Sequence, residues 1–79
     1  MSTATRTAFL AAYRTTLLDT YGWAADTAKL DKFMASVATT VNTPSTTANL
    51  TDSPAAQAAF KAIGCKGRLT YKALRALPA

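Results

Sequence analysis

Residues 53–64, Ser53-Pro54-Ala55-Ala56-Gln57-Ala58-Ala59-Phe60-Lys61-Ala62-Ile63-Gly64, hold a complete helix between a start signal and a stop signal. Ser53 can accept backbone N–H bonds as an N-cap. Pro54 suits the first helical position, where a missing N–H is no loss. Ala59, Phe60 and Ile63 recur at helical spacing, and glycine at 64 can take the left-handed conformation that closes a helix. The pattern predicts a helix over 54–63. Beyond Cys65-Lys66-Gly67-Arg68, Thr70 suits a second N-cap, and Leu69 and Leu74 fall at the two positions of a hydrophobic staple. Leu74 and Leu77 supply an apolar stripe that Pro78 stops, so a helix over 70–77 is expected.

Towards the N-terminus the same grammar repeats. Residues 43–52, TPSTTANLTD, are small and polar and read as a loop, with Leu50 pinned to the core. Before them, Leu30, Phe33, Met34, Val37 and Val41 mark a helix over 26–42, capped by Asp26 and ended by Thr43-Pro44. Phe9, Leu10, Tyr13, Leu17, Leu18 and Tyr21 mark another over 5–20, with Gly22 as its stop. Trp23 falls between the two and should wedge into their corner. A connection this short predicts an antiparallel hairpin. No strand pattern or repeat competes. The expected fold is all-α. It is one small four-helix domain over 1–79, two longer antiparallel helices followed by two shorter ones joined by a glycine-containing turn.

At 79 residues there is room for one domain, and a chain of that size buries only about 60% of its unfolded surface. Apolar residues make up 49% of the sequence, too many for a disordered chain, but 18 of them are alanine, so the core should be thin. No stretch approaches the apolar length of a membrane span. The opening Met1-Ser2-Thr3-Ala4-Thr5-Arg6 leads into an amphipathic segment, not a hydrophobic signal core. A single cysteine, Cys65, cannot form an internal disulfide and fits a reducing compartment. The Asn49-Leu50-Thr51 sequon, in a chain with 14 threonines, reads as coincidence. A cytoplasmic protein is expected, with no membrane association.

Charge is distributed unevenly. In residues 1–52, Arg6, Arg14, Lys29 and Lys32 are cancelled by Asp19, Asp26, Asp31 and Asp52. Residues 53–79 carry Lys61, Lys66, Arg68, Lys72 and Arg75 with no acid, so the whole net charge of +5 belongs to that segment. Such asymmetry points to an anionic partner, most often nucleic acid. The alternative is a charge that serves solubility alone.

Catalysis lacks its usual side chains. The sequence has no histidine and no glutamate, so the common general bases and metal ligands are missing. Asp26 reads as a cap, Asp19 and Asp52 lie near helix ends, and Asp31 falls on the solvent face of the second helix. Cys65 has basic neighbours but no base to activate it. No glycine-rich phosphate loop is present. We expect no enzyme, no catalytic residue, no cofactor and no metal.

The segment from Ser53 to Leu74 resembles a helix-turn-helix, in which a first helix ends in an apolar residue and glycine and a second enters the major groove. Ala59-Phe60 and Ile63-Gly64-Cys65 correspond to the packed first helix and its turn. The stretch from Gly64 to Thr70 is longer than that family's turn, and Phe60 stands where alanine is preferred. Gly64-Cys65-Lys66-Gly67 also looks like the helix-hairpin-helix, though its glycines are three apart instead of two. A purely structural corner between two helices fits the same residues. The helix-turn-helix resemblance implies a nucleic-acid-binding surface over 61–75. Lys61, Lys66, Gly67, Arg68, Thr70, Tyr71, Lys72 and Arg75 are its candidate residues, with Thr70, Tyr71 and Lys72 reaching base edges. Five charges bind weakly, so a homodimer would be needed for useful specificity.

The Phe-Leu-Ala-Ala-Tyr-Arg opening, the Tyr-Gly-Trp-Ala-Ala-Asp corner and the Lys-Ala-Leu-Arg-Ala-Leu-Pro ending are similar to short uncharacterised phage-encoded proteins. That resemblance implies the host cytoplasm and a class of small accessory proteins that bind DNA, bind host proteins or decorate particles. A protein-interaction role without nucleic acid is therefore the competing reading. In it the basic face meets an acidic protein, and Trp23, Tyr13 or Tyr21 anchors the contact.

Overall fold

A computed structural model describes residues 4–42 and 50–79. It contains α1 (Arg6–Thr20), α2 (Thr27–Asn42), α3 (Pro54–Ala62) and α4 (Tyr71–Ala76), with 3-10 turns at Trp23–Ala25 and Leu50–Asp52. No strand occurs among the described residues. The protein is a small all-α domain. The helix ends fall within one residue of those predicted, and each difference is a capping residue that is only half helical. Thr43, Pro44 and the rest of 43–49, including the sequon's Asn49, lie outside the described residues.

All four helices begin in the same way. A side-chain oxygen accepts the N–H three residues on: Thr5 from Ala8 at 2.9 Å, Asp26 from Lys29 at 2.9 Å, Ser53 from Ala56 at 3.3 Å and Thr70 from Ala73 at 3.1 Å. Each such cap contributes about 1 kcal/mol. The ends use glycine where the backbone turns left-handed. Tyr21 caps α1, and Gly22 follows at φ +71°. Ile63 caps α3, and Gly64 stands at φ +91°. There the Cys65 N–H donates to the Phe60 carbonyl at 3.3 Å and the Gly64 N–H to Lys61 at 3.0 Å. This pair of bonds is the Schellman closure, which satisfies carbonyls that the helix itself cannot.

Phe9, Tyr13, Leu17, Leu30, Val37, Val41, Leu50, Phe60, Leu69 and Leu74 are buried in one core. Trp23 sits at the corner of α1 and α2 as the sequence suggests, its ring tilted against Phe33 with centroids 5.1 Å apart. From that corner the two helices run back along each other, joined by the Tyr13–Phe33 ring contact and the Arg14–Asp31 ion pair. Yet the most extensive helix interface is between α1 and α3. Ala55, Ala56 and Ala59 of α3 are buried in the core, and side chains of one carbon let two helix backbones approach closely.

The two ends of the chain meet. The Arg6 N–H donates to the Pro78 carbonyl at 2.9 Å, and the Thr7 hydroxyl to the Ala79 carbonyl at 2.7 Å. Residues after α4 thus satisfy donors in the first turn of α1. No helix among the described residues is long and apolar enough to cross a membrane.

Gly64→Ala places a Cβ on a residue at φ +91° and removes the easy route to the Schellman closure. The variant is expected to lose roughly 1 kcal/mol or more of stability. Urea unfolding followed by circular dichroism measures this, and an unchanged midpoint would contradict the closure described here.

Candidate nucleic-acid interface

Residues 64–70 connect α3 to α4 without regular structure, so their backbone groups need partners. One side chain supplies both partners of Leu69. Gln57, half-buried on α3, accepts the Leu69 N–H through Oε1 at 2.9 Å. Its Nε2 donates to the Thr51 carbonyl at 2.8 Å, with the Leu69 carbonyl further off at 3.4 Å. The amide therefore ties α3, the connecting loop and the Leu50–Asp52 turn to one another. A second tie runs from the Leu50 N–H to the Tyr71 hydroxyl at 3.1 Å. Leu69 and Leu74, both fully buried, form the staple expected from the sequence and seat α4 on the core.

The candidate residues divide into three groups on this frame. Lys61, Gly67 and Arg68 line a shallow surface groove together with Gln57 and Ala58. Lys66 and Lys72 are exposed and lie outside that lining. Thr70, Tyr71 and Arg75 are engaged within the fold. The Thr70 hydroxyl oxygen caps α4, and the Tyr71 hydroxyl accepts from Leu50. The half-buried Arg75 guanidinium stands 5.4 Å from the centre of the Tyr71 ring, within cation–π range. Gly67 has φ +83°, and a Cβ there would meet nothing within 4 Å. Glycine is required by the backbone conformation, not by lack of space.

These placements change the expected roles. Thr70 and Tyr71 were candidates for base contact, but their polar groups already hold α4 and the Leu50–Asp52 turn. Helix α4 has six residues, less than two turns, and packs chiefly against α2. Its neighbour in the fold is therefore not the helix that precedes it in the sequence. Arg68 is also not a bare cation. Its Nη2 lies 3.5 Å from the Asp52 carboxylate and 3.3 Å from the Thr51 carbonyl. Of the aromatic candidates, Tyr13 is core, Trp23 is half-buried, and Tyr21 is 47% exposed.

Gln57 is the residue that sequence reasoning passed over, and Asp52 is one it read only as an acid near a helix end. Gln57 did leave a trace, as the sole polar side chain between Pro54 and Lys61. Asp52 stands directly before the acid-free segment, so a boundary drawn at residue 53 hid it. Among the described residues, no group of three His, Cys, Asp or Glu side chains could hold a metal ion. No family model matches the chain, no curated protein is similar to it, and no solved structure matches its fold.

Gln57→Leu preserves bulk but leaves the Leu69 N–H and the Thr51 carbonyl without this partner. A loss of about 1–3 kcal/mol is expected, the usual range for a part-buried polar group left unsatisfied. Amide hydrogen exchange should accelerate at Leu69 by more than at the centre of α1. Equal acceleration at both would show that the clamp has no local role.

Proposed function

We propose that the protein is a small basic nucleic-acid-binding module acting through residues 61–75 in the cytoplasm. The observation that carries this reading is the charge of +5 located wholly in residues 53–79. Within it, Lys61, Lys66, Arg68 and Lys72 have exposed side chains. Each can neutralise one phosphate and release the counterion condensed there, the main source of sequence-independent affinity. The engagement of Thr70 and Tyr71 inside the fold favours contact with the backbone of the nucleic acid over reading of its bases. The length of α4 favours the same. Four or five contacts give weak binding, and association of two copies would multiply it.

A second reading keeps the surface and changes the partner. The same cations would face an acidic protein, as in a phage-type accessory or structural protein. The exposed ring of Tyr21 beside Trp23 supports that reading with an aromatic anchor on another part of the molecule.

Titration of a labelled duplex by fluorescence anisotropy across a range of salt separates the two. The log of the binding constant should fall linearly with log salt. Replacing Lys66 and Lys72 together by alanine should weaken binding to every sequence and flatten the slope by roughly 2 units. The matched charge loss Lys29→Ala with Lys32→Ala, on α2, should leave most of the slope in place. If the α2 pair carries the salt dependence, or no duplex or single strand binds at low salt, the second reading replaces the first.

A further inference from the structure

The groove between α3 and the 64–70 loop has a cationic rim and an acid beside it. Lys61 and Arg68 line it, and Gly67 leaves the backbone there bare. The N–H groups of Lys66, Gly67 and Arg68 donate to no other described residue. Lys61 has no ion-pair partner among the described residues, whereas Arg68 is paired with Asp52 at 3.5 Å. Both members of that pair are well exposed, their side chains at 67% and 73%.

We infer that the groove seats one phosphate of a nucleic-acid strand between Lys61 and Arg68, and that Asp52 is an internal competitor holding Arg68 until the phosphate displaces it. The inference rests on the nucleic-acid reading above. An exposed ion pair shifts an equilibrium by only a few-fold, so Asp52 can be displaced. A phosphate diester in the groove meets two cations at once and can accept from the guanidinium fork with two oxygens. Asp52 meets Arg68 alone. The competitor is also held in place, because the Leu50–Asp52 turn is tied down by Gln57 and by the Tyr71 hydroxyl. A lone carboxylate ligand brings no more charge than Asp52 and has little advantage over it. A polyanion gains from Lys61, Lys66 and Lys72 as well. The exchange thus selects phosphate chains over simple acids, at the cost of lower affinity and a flatter salt dependence than the cation count implies.

The test compares the wild type with Asp52→Asn, Arg68→Ala and the double variant, using a labelled single strand and its duplex. Asp19→Asn, which alters an exposed acid on α1, matches the change in net charge. Asp52→Asn should tighten binding roughly two- to fivefold, the range expected of an exposed pair. It should also steepen the salt slope by up to about 0.9, the share of one freed phosphate contact. In the Arg68→Ala background the same change should give no more than Asp19→Asn gives. If Asp19→Asn and Asp52→Asn act alike, or the gain survives Arg68→Ala, the competitor assignment falls while binding through Lys66 and Lys72 stands. If neither the wild type nor Asp52→Asn binds either oligonucleotide, the nucleic-acid reading falls and takes the groove with it.

Discussion

The amide of Gln57 holds together parts of the chain that local propensity would leave apart. A six-residue helix is far below the length at which helices are stable in water, because its nucleation cost is never recovered along so short a run. Helix α4 exists because something else fixes its first residue in place. Leu69 directly precedes the N-cap Thr70, and its N–H is held by Gln57 while its side chain is buried in the core. The same amide reaches the Thr51 carbonyl, so the 3-10 turn before α3 and the loop after it are positioned by one group. The basic surface is built on this frame. A side chain with both a donor and an acceptor is needed; glutamate or lysine at position 57 would serve only half of the task, and leucine none of it.

Alanine decides how the helices choose partners. Two helices joined by a short corner should pack together, and α1 and α2 do, through Phe33, Tyr13 and the Arg14–Asp31 pair. Closer approach needs small side chains, and the buried run Ala55, Ala56 and Ala59 lies on α3. Thus α3 takes the larger interface with α1, and α2 is left to receive α4. The pairing does not follow the order of the helices in the chain. Exposed ion pairs such as Arg14–Asp31 contribute little to this choice, since in water each is worth under about 1 kcal/mol.

What could be read from the sequence was what lies within about a turn and a half of helix. Every cap is a bond between residues three apart, and Ser53, Asp26 and Thr70 were legible for that reason. Gly22 and Gly64 were legible because a left-handed residue at a helix end is a local demand. The staple of Leu69 and Leu74 spans one turn and a half. Contacts across greater separations left no such mark. Gln57 and Leu69 are 12 residues apart, and Leu50 and Tyr71 are 21 apart. No periodicity connects them. Tyr71 could be seen as a polar aromatic beside cations, but not as a side chain whose hydroxyl already had a partner. The charge asymmetry was legible as a sum, while the pairing that removes Arg68 from the free cations is set by the fold, which brings residues 16 apart together.

That last point bears on how a charged segment should be weighed. Counting cations treats each as available to a partner, yet availability is a property of the fold. Of the five basic residues in 53–79, Arg75 is half-buried over a tyrosine ring and Arg68 faces an aspartate. The three lysines remain exposed. Lysine is a point charge on a flexible stem, suited to neutralising phosphates at many angles, whereas arginine's fork suits recognition of one planar geometry. A surface whose arginines are engaged and whose lysines are exposed is built for charge, not for shape. On the nucleic-acid reading proposed above, such a surface meets a polyanion with little regard to sequence, and Arg68 becomes selective only when Asp52 gives it up.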